Sequence, residues 1–132
     1  MTVIVAAAVI ERHGRILVTK RPAGVHLEGH WEFPGGKCGP DETLEQCLVR
    51  ELREELAVEA AVESELMATC HDYPDRRVEL HFFRCLLHGK PRPQMGQEMR
   101  WVERRDLAAL QFPPADTELI TLLTHRPDLH QT

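Results

Sequence analysis

Several absences narrow this chain before any motif is read. Its four cysteines, Cys38, Cys47, Cys70 and Cys85, include no CxxC and no other close ligand pair. That spacing argues against a zinc site and makes reduced cytosolic thiols the simpler expectation. Positive charge is in deficit: 16 Lys and Arg stand against 21 Asp and Glu, a formal charge of −5. Such a balance leaves no electrostatic footprint for duplex nucleic acid. No basic segment precedes the apolar run Val3–Ile10, and the run stops at Glu11, too early for a membrane span. Repeats and low-complexity tracts are also missing. The expectation is one cytoplasmic domain over residues 1–132, large enough for one core and too short for two. Its tail, His125–Thr132, carries Pro127 and polar residues and is expected to be mobile.

What is present is concentrated between Gly36 and Val58, GKCGPDETLEQCLVRELREELAV. Thr43 can cap a helix while Gln46, three residues on, reaches back in a capping box. At about 100° per residue, Leu48, Val49, Leu52 and Leu56 fall within one arc, the expected buried stripe. Glu51, Glu54 and Glu55 share the neighbouring arc, whereas Gln46 and Arg53 point away from both. The acids therefore border the core. Glu51 and Glu55 are like charges at i,i+4, which destabilises an isolated helix by roughly 0.2–0.5 kcal/mol. A divalent cation would reverse that sign, and carboxylates at this density suit a hard ion such as Mg²⁺ or Mn²⁺.

Around this segment, strands are predicted at Val3–Ile10 and Arg15–Lys20, joined by a turn at His13 and Gly14, and at Glu65–His71, Arg77–His88 and Arg100–Glu103. A second helix is predicted from Pro114 or Asp116 to about Thr124. Gly89–Gly96 reads as the only long loop. Periodicity alone supports an α and β domain.

The segment resembles the Nudix box: a glycine, five residues, Glu, seven residues, then Arg-Glu-aliphatic-x-Glu-Glu-x-Gly-aliphatic. Here it reads Gly36, Glu42, Arg50, Glu51, Leu52, Glu54, Glu55, Ala57 and Val58, with Ala57 in place of the glycine. Trp31-Glu32-Phe33-Pro34-Gly35-Gly36-Lys37, Tyr73-Pro74-Asp75-Arg76 and Phe112-Pro113-Pro114-Ala115-Asp116 resemble further segments of the MutT-like subgroup. The resemblance implies an α/β/α sandwich with a mixed sheet. It also implies a Mg²⁺- or Mn²⁺-dependent hydrolase that converts nucleoside triphosphates to monophosphate and pyrophosphate, most of all 8-oxo-dGTP. A CTP or modified-dCTP pyrophosphohydrolase is the nearest enzyme alternative. A catalytically dead nucleotide-sensing or protein-binding module is an alternative of another class, against which three intact acids argue. Partners are a small-molecule substrate, with the chain a monomer or weak dimer.

By the same resemblance, Glu54 and Glu55 are the chief metal ligands, with the Gly35 carbonyl. Glu51 is a ligand, an orienting group or the base, and Arg50 orients the box carboxylates. The subgroup places a further loop acid where this chain has Met95, and Glu98 is the nearby substitute. Arg21 matches a phosphate-contacting arginine, and Phe33, Tyr73, Asp75, Arg76 and Asp116 match positions around the nucleoside. An ionised Asp116 would only accept hydrogen bonds, favouring bases that present donors; capping the last helix is its other reading.

Overall fold

The computed structural model describes residues 1–125. The predicted mobile tail lies, apart from His125, outside the described residues. Two long strands come first, β1 (Thr2–Arg12) and β2 (Arg15–Lys20). They are joined by His13 and Gly14, both at positive φ, the backbone that a two-residue hairpin turn demands. Two short strands follow, β3 (Trp31–Glu32) and β4 (Gly35–Lys37), then helix α1 (Leu44–Leu56). The hairpin of β5 (Glu59–Tyr73) and β6 (Arg76–His88), β7 (Met99–Glu103) and α2 (Thr117–His125) complete the chain. The strands run in the order β3-β2-β1-β6-β5, with β4 on β1 and β7 on β2. The β1–β6 pair is parallel, from Thr2 opposite Arg77 to Ile10 opposite Cys85, and the other pairs are antiparallel. This is the expected mixed sheet between helices.

The N-terminal apolar run is the middle of that sheet. Ala6, Ala8 and Ile10 face α1 together with Leu17, Phe83, Cys85 and Leu87. Ala7 and Val9 face α2 together with Ile16, Val18, Phe82 and Val102. A strand covered on both faces needs apolar residues at every position, so it reads as a continuous run instead of an alternation. Helix α1 fully buries Leu48, Leu52 and Leu56, each contributing about 1.5–3 kcal/mol. Cys47 takes the fourth buried place and Val49 is only half-buried, a one-residue rotation of the predicted stripe. Among the described residues no helix is long and apolar enough to cross a membrane.

Three further differences have local causes. β5 starts at Glu59, six residues earlier than its pattern suggests, because register shifts between Val62 and Met67 break the alternation. Ten residues, 21–30, separate β2 from β3, so Gly89–Gly96 is not the only long loop. The reading of all four cysteines as reduced thiols fails, because Cys38 and Cys47 form a disulfide with Cα atoms 5.1 Å apart. β4 pairs antiparallel with β1 and delivers Cys38 beside the first turn of α1. Their separation of nine residues matches no motif, and only this folding-back brings the sulfurs together.

Ala57 neither extends α1 nor shifts its exit. It adopts the left-handed conformation itself, at φ 52° and ψ 42°, and its N–H donates to the Arg53 carbonyl. An alanine there costs about 1–2 kcal/mol that glycine would not. Ala57→Gly is therefore expected to stabilise the protein by about 1 kcal/mol, seen as a higher urea midpoint at unchanged slope. The disulfide is expected to contribute about 2–3 kcal/mol for so short a loop. Denatured, unreduced protein should take up two equivalents of alkylating agent, on Cys70 and Cys85, and four after reduction.

Candidate active site

Two glycines let β4 lie against its neighbours. A Cβ on Gly35 would overlap the backbone of Ala6 and Ala7, and one on Gly36 would overlap the Glu51 carboxylate. Gly36 is thus the seat of Glu51, and β4 is fixed by its pairing with β1, Gly35 opposite Ala7 and Gly36 opposite Ala6. The helix itself starts where the capping box predicts: Thr43 Oγ1 accepts from the Gln46 N–H, and Gln46 Oε1 accepts from the Thr43 N–H.

Arg50 is the hub of the box. Its Nε and Nη2 donate to the two Glu42 oxygens at 2.6 and 2.9 Å, a bidentate fork. Nη1 reaches Glu51 at 2.9 Å and Glu54 at 3.2 Å, and Nη2 also reaches the Lys37 carbonyl at 3.1 Å. Hydrogen bonding from Arg50 and from the Gly39 N–H holds Glu42 down at a pKa of about 2. All the donors of this guanidinium are thereby engaged by the loop, β4 and α1.

Glu55 is placed differently. Burial first, then the charges of Glu32 and Glu51 and a hydrogen bond with Glu51, push its carboxyl far above the usual carboxylate range. Glu32 is the residue that sequence reading passed over. In β3 it stands between Trp31 and Phe33, both buried on the α2 side, so strand alternation turns it toward α1. That alternation was the available signal. Its own carboxyl is raised by burial, against the lowering influence of Arg21, whose Nη1 donates to it at 2.8 Å.

Among the described residues no three ligating side chains converge on one metal-sized point. The donor chemistry nonetheless fits a hard cation. Mg²⁺ takes one or two protein carboxylates and fills its octahedron with water and phosphate oxygens, so no closed protein cage is required. Glu55, Glu51 and Glu54 crowd along one helix edge beside a main-chain carbonyl. Only Glu54 is well exposed, and its sole clamp is the long Arg50 contact.

On the α2 side, Phe33 stacks on Phe112 with ring centroids 5.2 Å apart and meets Phe82 edge-on at 6.0 Å. Asp116, 6% exposed, ends the 3-10 turn Pro114–Asp116. No hydrogen bond to its carboxyl occurs among the described residues, so the helix-capping reading is not the one realised. Burial, then the Glu32 charge, raises its pKa to about 7. The expectation of an ionised, acceptor-only group is thereby corrected: near neutrality much of Asp116 carries a proton and can donate as well as accept. At the hairpin tip, Tyr73 packs against His71 at 4.6 Å and against His26 at 6.1 Å. Arg76 keeps a buried Nε with no hydrogen-bond partner among the described residues. Asp75 is exposed in the two-residue turn between β5 and β6.

Glu98 is a second correction. Its carboxylate pairs with Arg100 at 3.0 Å, and Arg100 lies 4.6 Å over the Trp31 ring, on the face opposite α1. Glu98 lies one residue before β7 and is held in this pair, and no contact with Glu51, Glu54 or Glu55 occurs among the described residues. Met95, at the position of the expected loop acid, is 61% exposed. The buried group in this loop is Gln97, whose Nε2 donates to the Glu55 carbonyl at 3.3 Å.

The chain is similar to known proteins in sequence and in fold. A family model described as a NUDIX domain matches residues 5–122. The chain is 42% identical over 119 residues to the CTP pyrophosphohydrolase of Escherichia coli (strain K12), spanning 88% of this chain and 87% of that protein. It is 40% identical over 121 residues to the 8-oxo-dGTP diphosphatase of Haemophilus influenzae, spanning 88% and 87%. The solution structure of the E. coli ORF135 protein superposes with a TM-score of 0.84 at 37% identity, covering 96% of this chain and 94% of that one. The MutT NUDIX hydrolase from Burkholderia pseudomallei gives 0.82 at 26%, covering 92% and 97%. With a match across most of its length and relatives at this identity, the chain belongs to the NUDIX domain family.

Proposed function

We propose that this chain is a divalent-metal-dependent nucleoside triphosphate pyrophosphohydrolase of the nucleotide pool, with 8-oxo-dGTP as the leading substrate. The observation that carries the reading is Glu55: a carboxyl buried against Glu32 and Glu51, on a helix clamped by Arg50 over Gly35 and Gly36. Crowded buried acids raise each other's pKa and destabilise the metal-free site, an arrangement that is retained where charge must later be received. Glu55 and Glu54, with the Gly35 carbonyl, are the donors assigned to Mg²⁺ or Mn²⁺. When bound, the ion neutralises phosphate oxygens and favours attack by water. Glu51, shared between Arg50 and Glu55, is placed to orient Glu55 or to accept a proton. Arg50 keeps Glu51 and Glu54 from swinging away. The base lies by Phe33 and Phe112 with Asp116 on its edge, and Tyr73 and Arg76 stand at the hairpin tip.

A second substrate, CTP, is favoured by a specific observation, the relative of that activity at 42% identity. A protonated Asp116 serves either base, because it offers both a donor and an acceptor. A cytoplasmic location follows from where the nucleotide pool is; the Cys38–Cys47 disulfide is uncommon in such a reducing compartment.

Glu55→Gln is expected to lower turnover by at least ~10²-fold, the scale of losing one catalytic electrostatic or acid–base group. It should not lower the metal-free melting midpoint at pH 8, since it removes a buried acid whose ionised form is disfavoured. Near-normal hydrolysis by this variant, or full activity of the wild type in excess chelator, would refute the assignment. Asp116 sets a pH test. Its folded pKa is raised, so its proton is held below about pH 7 and lost above. Asp116→Asn should leave the kcat/KM ratio between 8-oxo-dGTP and CTP close to wild type at pH 6. At pH 8.5 the variant and wild type should differ by ~1–3 kcal/mol, or roughly 5- to 150-fold. In the metal-free protein the same raised pKa makes wild-type stability fall as pH rises from about 4 to 7, and the Asn variant should lack that contribution.

A further inference from the structure

Glu32 and Arg21 form a unit that the box does not include. Glu32 is held at the backbone by its neighbours: Trp31 is 6% exposed and donates its N–H to the Gln111 carbonyl, and Phe33 is stacked on Phe112. Its cross-strand partner is Thr19, so the two side chains share the α1 face. Thr19 is fully buried, and its Oγ1 has no hydrogen-bond partner among the described residues. Beside them, Arg21 donates from Nη1 to Glu32 at 2.8 Å and from Nε to the His26 carbonyl at 2.6 Å. Its Nη2 donates to nothing among the described residues. The guanidinium is thus pinned through Nε and Nη1, one on each of its two donor edges, and Nη2 alone is left open between them.

A cavity adjoins this arginine. Arg21 lines a cavity of about 370 Å³ with Lys20, Glu28, Gly96, Gln97 and Glu98. Gln97 ties this cavity to the acid stripe through the Glu55 carbonyl. The cavity lining does not include Phe33, Phe112 or Asp116, the residues around the proposed base pocket. A nucleotide whose base lies in that pocket and whose reacting phosphate lies at the stripe would carry its two terminal phosphates into the cavity.

We infer that Glu32 is a positioning residue: it holds the Arg21 guanidinium so that Nη2 meets the departing pyrophosphate in the Lys20–Gln97 cavity. The inference rests on the proposed pyrophosphohydrolase activity and on Arg21 as a phosphate contact. A guanidinium pinned at two of its nitrogens loses little freedom when the third binds an oxyanion, which is the advantage of an oriented arginine over a mobile one. The bland alternative is an ion pair that only ties the 21–30 loop to β3.

The two separate in a double-mutant cycle of Glu32→Gln and Arg21→Ala, read as kcat/KM for the triphosphate and as inhibition by added pyrophosphate. Inhibition by the nucleoside monophosphate and the melting midpoint are measured beside them. Wild type that hydrolyses no nucleoside triphosphate would overturn the proposed function itself, before any variant is made. Arg21→Ala that leaves kcat/KM and pyrophosphate inhibition unchanged would overturn Arg21 as a phosphate contact. With both of those standing, Glu32→Gln should lower kcat/KM and weaken pyrophosphate inhibition by at least about tenfold, the scale of a hydrogen bond to a charged group. Monophosphate inhibition should stay within about twofold, and in the Arg21→Ala background Glu32→Gln should have almost no further effect. Full additivity of the two substitutions, or equal weakening of monophosphate and pyrophosphate inhibition, would show that Glu32 does not work through Arg21. Should Glu32→Gln fold poorly, Glu32→Asp keeps the charge while drawing it back by one methylene. It should still show the selective loss of pyrophosphate inhibition, and the absence of that loss would equally reject the proposal.

Discussion

The Arg50 guanidinium is the contact on which the candidate site depends. It touches both oxygens of Glu42 in the loop, Glu51 and Glu54 on its own helix, and the Lys37 carbonyl at the end of β4. Loop, strand and helix are therefore held in one register by a single planar cation. A lysine could not do this, because the fork geometry lets separate acceptors be met at once. Each contact alone resembles a surface ion pair of small value. Their convergence is what keeps three acids side by side in the absence of a cation.

Around that hub the fold carries an electrostatic burden. Glu55 and Glu32 are desolvated near other acids, and the cost is borne by the core beneath them. Leu48, Leu52 and Leu56 anchor α1 on the central strand, where small Ala6 and Ala8 let the helix come close. Gly35 and Gly36 let β4 approach from the side. The same arrangement explains the tolerance of Ala57: the hydrogen bond to the Arg53 carbonyl and the burial of Leu56 and Val58 on either side hold an alanine in a backbone that glycine would adopt without strain.

The aromatic cluster on the face away from α1 is assembled from pieces far apart in the chain. Phe33, Phe82 and Phe112 meet there, and Asp116 is buried at the end of the turn Pro114–Asp116. The environment of Asp116, more than its residue type, sets its charge. In water an aspartate is an acceptor; here burial and the Glu32 charge return a proton to it near neutrality. Glu32 is felt both by Glu55 on the metal side and by Asp116 on the base side, and it is salt-bridged to Arg21.

The local features were legible because short-range physics sets them. Thr43 and Gln46 cap α1, His13 and Gly14 turn the first hairpin, the leucine stripe buries one helix face and the acids border it, and each depends only on spacing along the chain. The family and its box follow from the same stretch. What spacing could not show is which distant groups share a solvent-free space. The Cys38–Cys47 disulfide exists because β4 folds back on β1, and Glu98, just before β7, is taken up by Arg100. Glu32 enters because β3, with Trp31 and Phe33 packed on the α2 side, turns it toward α1 beside Glu55. By itself the sequence determined the fold family, the helix and its acid edge. The tertiary structure alone decided which of those charges are buried, which are paired and which carry a proton, because burial and field are properties of neighbours that no position in the chain records.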